Sequence, residues 1–153
     1  MSFKDDIKVK GEVSIVVTDK DGNLKATRDV HNMVVTTGKN HIASRIAGLF
    51  DSYGDTGAII SHIAFGTAVT FPTLTDIELG YQLGPRYPIE ILYPVATNVV
   101  VMTSSYSGQT GILTEAGLFN HATAGTMICR TTFLEVPMII TDILAITWTL
   151  TIN

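Results

Sequence analysis

Cysteine is almost missing from this 153-residue chain: Cys129 stands alone. One thiol excludes an intrachain disulfide, and the shortage fits synthesis in a reducing cytosol. Charge is scarce too. Asp, Glu, Lys and Arg make up 16% of residues, against about 25% in ordinary soluble domains. Ten basic residues face 14 acidic ones, for a net charge of −4. No basic stripe is left to follow a phosphate backbone, which argues against nucleic acid as a partner. No run reaches the ~18 apolar residues of a membrane helix. The opening, MSFKDDIKVK, is charged and lacks the apolar stretch of a secretory signal.

Metal and cofactor chemistry find little to use. The histidines His31, His41, His62 and His121 are far apart and show no ligand spacing, so neither a metal nor a cofactor is expected. His62 falls in a strand-like run, where a buried histidine needs a hydrogen-bond partner. DKDGN (19–23) resembles the start of a calcium loop, but its glycine comes two places early and Val30 stands where the bidentate Glu belongs. A hairpin turn explains it better. TTGKN (36–40) lacks the first glycine of a phosphate loop, with Met33 in its place and Asn40 for the hydroxyl residue. There is no Gly-x-Ser-x-Gly elbow, and Cys129 has no histidine near it in sequence. No catalytic residue is assigned.

Apolar residues are abundant: 46% of the chain, with a mean hydropathy of +0.32. Such a surplus without a membrane segment points to subunit contacts, since exposed apolar patches mark interfaces. The length suits one domain with a real core, spanning residues 1–153.

The local patterns are mostly β. GEVSIVVT (11–18) and DVHNMVVT (29–36) flank an Asp/Gly/Asn turn at 19–23 and predict a hairpin. Ile42, Ile46, Leu49 and Phe50 recur at helical spacing, predicting a helix over 37–50 capped by Thr36 or Thr37. DSYGDTG (51–57) reads as a loop, and IISHIAFG (59–66) as a short strand that turns into a loop at Phe65 and Gly66. Thr75 and Glu78 have capping-box spacing, with Leu74 and Leu79 as a staple, which predicts a two-turn helix over 74–84. RYPIEILYPV (86–95) holds two prolines and suits a sheet edge. Residues 97–107 and 126–134 read as strands. In the last strand Leu144, Ile146, Trp148, Leu150 and Ile152 alternate with Ala and Thr, giving Ile146, Trp148 and Leu150 as core. The expected fold is mainly β: an antiparallel β-sandwich-like domain with one or two short helices.

LTEAGLFN (113–120) poses the chemical question. Glu115 stands in a small, apolar run, as either a reactive carboxylate or a structural acceptor. Glycoside chemistry needs a second carboxylate, and no spacing pairs Glu115 with Glu135 or Asp142. A structural role fits better. The carboxylate accepts several backbone N–H groups at a tight turn made by Glu115, Gly117, Leu118 and Phe119. Gly117 lets the chain bend, and Leu118 and Phe119 face a core or interface.

Three blocks, 30–48, 60–83 and 112–133, followed by the β-run 143–152, lie in an order that resembles small virion proteins of tailed bacteriophages. The order is also similar to the N-terminal domain of tail-collar fibres. Ile63, Ala64, Phe65 and Gly66 match the family's "hxhGxG" strand end. Thr75, Leu79 and Leu83 fall in its "T.L..E" segment, and Glu115, Gly117, Leu118 and Phe119 match its "E-x-G-L-F" element. Ala68 replaces a common glycine, and no shaft or receptor-binding tip follows Asn153. The resemblance implies a non-enzymatic module of the virion, assembled in the host bacterial cytoplasm. It would contact copies of itself, as a trimer or higher, and other virion proteins, with no receptor or glycan assigned. Tail fibre, collar or baseplate is the leading placement. A capsid decoration protein and a small carbohydrate-binding β-domain are the alternatives, the last resting on the scattered Tyr53, Tyr81, Tyr87, Tyr93, Tyr106 and Trp148.

Overall fold

The computed structural model describes residues 7–47, 59–92 and 98–153. The predicted loop 51–57, Leu49 and Phe50 of the predicted helix, and the end of the predicted edge strand lie outside the described residues.

Among the described residues the chain forms one antiparallel nine-stranded sheet, in the order β4 (Gln82–Pro88), β3 (His62–Gly66), β7 (Gly111–Phe119), β8 (Met127–Met138), β2 (Leu24–Val34), β1 (Val9–Thr18), β9 (Ile143–Ile152), β6 (Val99–Ser107) and β5 (Glu90–Leu92). The β-branched runs build the hairpin of β1 (Val9–Thr18) and β2 (Leu24–Val34). Asp19 shapes its turn, accepting the N–H groups of Asp21 and Asn23 at 2.9 Å on one oxygen and the Asn23 side chain on the other. Those bonds, the Asn23 side chain first, hold the Asp19 carboxyl below its ordinary pKa. Both oxygens are engaged by the turn. The last strand, β9 (Ile143–Ile152), pairs with β1 along its whole length and with β6 (Val99–Ser107) on its other side.

The other half of the sheet consists of β3 (His62–Gly66), β7 (Gly111–Phe119) and β8 (Met127–Met138). It joins the first half narrowly, because β2 pairs with β8 only at Met33↔Arg130 and Val34↔Cys129. The far edges are brought together by the chain itself. β4 (Gln82–Pro88) pairs with β3, β5 (Glu90–Leu92) pairs with β6, and only Ile89 separates the two strands. Pro88 cannot donate to a ladder, and its carbonyl instead accepts the Ser104 hydroxyl at 2.9 Å. The Tyr87 and Tyr106 rings meet edge to face at 4.5 Å across the same junction. The result is a nearly closed, mainly β fold of the expected class. The proline-bearing segment forms its terminal strands, as its composition predicts.

The interior follows the period-two pattern. Val13, Ile15 and Val17 of β1 meet Leu144, Ile146, Trp148 and Leu150 of β9, all buried. Trp148 brings a polar group with its bulk, and its Nε1 donates to Asn32 Oδ1 at 2.9 Å. A second, smaller core lies around Val35, Ala64, Leu79, Phe119 and Met127. Strands β7 and β8 therefore have buried side chains on both faces.

Three expectations need correction. Helix α1 (Thr36–Ala47) forms, but Ile46 is exposed and only Ile42 of its described stripe packs on the core. The Thr37 hydroxyl donates to Met127 O of β8 and does not cap the helix. No helix forms over 74–84, and Thr75 and Glu78 cap nothing. Local hydrogen bonding wins there: the Asp76 carboxylate accepts the Thr73 N–H and hydroxyl at 2.9 and 2.6 Å, closing a turn in place of a capping box. Finally, Glu115, Gly117, Leu118 and Phe119 are not in a turn but in the middle and end of β7. Phe65 and Gly66 do end β3, where the sequence puts the strand-to-loop change.

Truncating Trp148 removes the largest fully buried side chain and orphans Asn32 Oδ1. Trp148→Ala is expected to cost about 3–5 kcal/mol in urea unfolding; a change under about 1 kcal/mol would mean that the ring carries little of the core.

A carboxylate joins the two hairpin ends. Asp142, buried in the β8–β9 turn, accepts Lys25 Nζ of β2 and the Ile139 N–H at 2.9 Å. The Lys25 bond foremost, then Ile139, holds Asp142 below its ordinary pKa of 3.8. A depressed folded value stabilises the fold above pH 3.8, and that share disappears as pH falls through the lower folded value. Asp142→Asn should therefore lower the melting midpoint at neutral pH and show a shallower decline on acidification below pH 3.8. Parallel curves for the two proteins would refute the linkage.

Candidate functional site

Glu115 is the organising residue of the outer face of β3, β7 and β8. It is 0% exposed, and Arg130, on the neighbouring strand, is 3% exposed. Register sets them together: Glu115 faces Thr132 and Gly117 faces Arg130, so the two charged side chains lie diagonally on one face. Arg130 Nε and Nη2 reach Glu115 Oε2 at 3.0 and 2.9 Å. The Gly80 N–H donates to the same oxygen at 3.0 Å. Oε1 accepts the N–H groups of Tyr81 at 2.8 Å and Ala68 at 3.1 Å. Five donors meet a group with about four acceptor sites.

Arg130 extends the network outward. Its Nη1 donates to Asp76 Oδ2 at 2.8 Å, and its Nη2 lies 3.4 Å from Thr70 Oγ1. Partial burial of Asp76 would raise its pKa, yet hydrogen bonds from Thr73 and then Arg130 outweigh that and leave it below the ordinary value. The two carboxylates and one guanidinium thus fasten the segment 67–81 across the sheet. Thr114 adds a bond from its hydroxyl to Ala68 O at 2.9 Å, and the Thr36 N–H donates to Leu74 O at 2.9 Å.

Close approach has a steric condition. A Cβ on Gly66, paired with Glu115 across β3 and β7, would lie 2.4 Å from Glu115 Oε1 and 2.3 Å from Tyr81 O. Only glycine fits. Gly117 makes room as well, though not by bending: a Cβ there would lie 2.9 Å from Leu79 Cδ2.

This arrangement suits holding, not proton transfer or nucleophilic attack. Both Glu115 oxygens are occupied and shut from water, with no substrate-sized approach to either among the described residues. Glu135 is exposed and Asp142 belongs to the β8–β9 turn, so neither of the other two carboxylates considered joins Glu115. Cys129 is buried in β8, and burial pushes its thiol pKa well up. Among the described residues, no three His, Cys, Asp or Glu side chains converge to hold a metal ion.

Further along the same face, Arg86 of β4 stacks its guanidinium 3.6 Å from the centre of the Phe119 ring. It also donates to the carbonyls of His121 and Ala124, tying the β7–β8 connection to β4. His62 lies within this group, with the Ser61 hydroxyl 2.8 Å from its Nδ1. Burial first, then His121 and Arg86, lower its pKa.

The aromatic residues do not assemble into a sugar-stacking platform among the described residues. Trp148 and Tyr106 are in the core and Tyr81 is exposed on the segment 67–81. Tyr53 and Tyr93 lie outside the described residues. The shallow groove across β2, β1 and β9 is lined by Glu12, Ser14, Asp29, His31, Thr147 and Thr149 with no aromatic side chain.

Comparison with known proteins adds no relative: no family model, curated protein or solved structure matches the chain.

Reading LTEAGLFN as a turn hides Arg130, although the sequence carries a signal for it. Placing the hairpin connection at 120–126 puts residues 115 and 130 at nearly equal distances from its middle, as cross-strand neighbours of opposite charge. Glu115→Gln leaves Arg130 buried beside a neutral amide and is expected to cost about 3–5 kcal/mol in denaturant unfolding. Limited proteolysis should then cut within 67–81, while Glu115→Gln with Arg130→Met should cost less than the two single changes together. Additive losses with an uncut segment would show that the pair does not hold the loop.

Proposed function

We propose that the chain is a structural component of a tailed-phage particle, a tail-fibre, collar or baseplate module that joins copies of itself to neighbouring virion proteins. The order of its sequence blocks supports the phage reading. The observation that carries the assembly reading is the segment 67–81. Its backbone is fixed by the Glu115–Arg130–Asp76 network, yet Val69, Phe71, Leu74, Ile77 and Tyr81 are between 48% and 86% exposed. Apolar side chains held outward on a rigid loop are what a preorganised contact surface requires, since little ordering entropy remains to be lost on binding. The buried, saturated state of Glu115 supports a holding role over a catalytic one. In this reading the protein functions in the virion, after assembly in the host cytoplasm.

Mass spectrometry of gradient-purified phage particles should find the chain in fixed stoichiometry with the tail proteins. Recovery of the chain only in the soluble lysate would overturn the proposal. Phe71→Asp removes the most exposed aromatic of the loop; it should leave unfolding within about 0.5 kcal/mol of the parent and abolish incorporation into particles.

A further inference from the structure

A different surface carries a second inference, independent of where the protein functions. The β1–β2 turn, the β8–β9 turn and the start of β7 lie at one pole of the fold, because Thr18 pairs with both Leu24 and Ile143, Ile143 with Ser107, and Gly111 with Met138. Turns at a water-facing pole are normally polar. Here Leu24, Ile112, Ile139, Ile140 and Ile143 are each between 44% and 65% exposed. We propose that this pole is a contact between two copies of the chain, the same surface on each meeting across a two-fold axis.

Area supports a folded partner of this size. The five aliphatic side chains present on the order of 500 Å² of apolar surface, the amount expected when about 800 Å² per partner is buried and roughly 60% of it is apolar. Charge permits a second copy to meet this surface. Lys25 is paired with Asp142 and Lys20 with Asp21, within the chain. With the Asp19 carboxylate of the β1–β2 turn added, the pole holds three acidic groups against two basic ones, an excess of one negative charge that brings only modest like-charge repulsion when it meets itself. Ile7, Ile59, Leu92 and Asn98 lie toward the opposite pole, where Lys8 bonds Asn153, Asn98 bonds Ile152 and Ser61 bonds Phe119. A self-contact through one patch closes as an isologous dimer, the commonest oligomeric arrangement.

Sedimentation velocity over a range of protein concentrations tests the contact. The parent chain should sediment at twice the monomer mass or a multiple of it. Ile140→Lys, in an exposed turn, should halve that mass while leaving the far-ultraviolet spectrum and melting midpoint unchanged. Ile140→Glu should do the same. Leu24→Lys serves as the second probe should either Ile140 variant fail to fold. Phe71→Asp, on the other apolar surface, should leave the pairing intact. A parent chain that is monomeric throughout, or an Ile140→Lys protein of undiminished mass, would overturn the inference. Loss of pairing in Phe71→Asp alone would move the contact to the loop and would equally overturn it. Failure here leaves incorporation into particles untouched, so the two proposals stand or fall separately.

Discussion

Withdrawing one carboxylate from water constrains half of this fold. An ionised side chain in an apolar interior costs several kcal/mol unless its charge and all its acceptor sites are met. Glu115 satisfies both conditions at once, with Arg130 supplying the charge and three backbone N–H groups the remaining contacts. Those N–H groups belong to residues 68, 80 and 81, so the path of the segment 67–81 is dictated by a side chain on another strand. Gly66 must stay bare beside the carboxylate for the same reason. The conformation of the loop is thus a consequence of solvation chemistry in the sheet it covers.

That dependence accounts for the failed helix at 74–84. A capping signature is worth about 1 kcal/mol, whereas a buried charge left without its donors loses several times more. Gly80 and Tyr81 cannot donate both to a helical carbonyl ladder and to Glu115, and the need of the buried charge prevails. The same competition frees the apolar side chains of the loop. With its backbone turned inward, Ile77 is carried outward, where a helix over 74–84 would have turned part of that face onto the sheet.

The parts of the fold legible in the sequence are those where one periodicity dominates. The alternation around Trp148, the DKDGN turn and the proline-bearing terminal strands each follow from local chemistry alone. β7 escapes such a reading because it is buried on both faces. Leu113, Ala116 and Leu118 point to one core, while Glu115, Gly117 and Phe119 occupy the other side, so no apolar–polar alternation survives. A register shift between Leu113 and Glu115 disturbs the pattern further. The structural role of Glu115 is legible from its neighbours, but its partner is not. Finding Arg130 requires the register of a hairpin that itself goes unseen once the strand is read as a turn. Ile46 fails for a related reason: helical spacing marks a stripe, but does not say how much of that stripe the sheet is wide enough to cover.

The placement of the first and last strands has a mechanical side. β1 and β9 run antiparallel for ten residue pairs, and Lys8 and Asn153 exchange hydrogen bonds at 2.7 and 2.8 Å where the ladder begins. Tension applied between those two residues would act across the ladder at its open end and load one rung at a time, as in opening a zip. Tension applied between that pole and the opposite turns would run along the strands and load the rungs together in shear. The domain is therefore compliant in one direction and stiff in the other, and a neighbour gripping its turns would feel the stiff one.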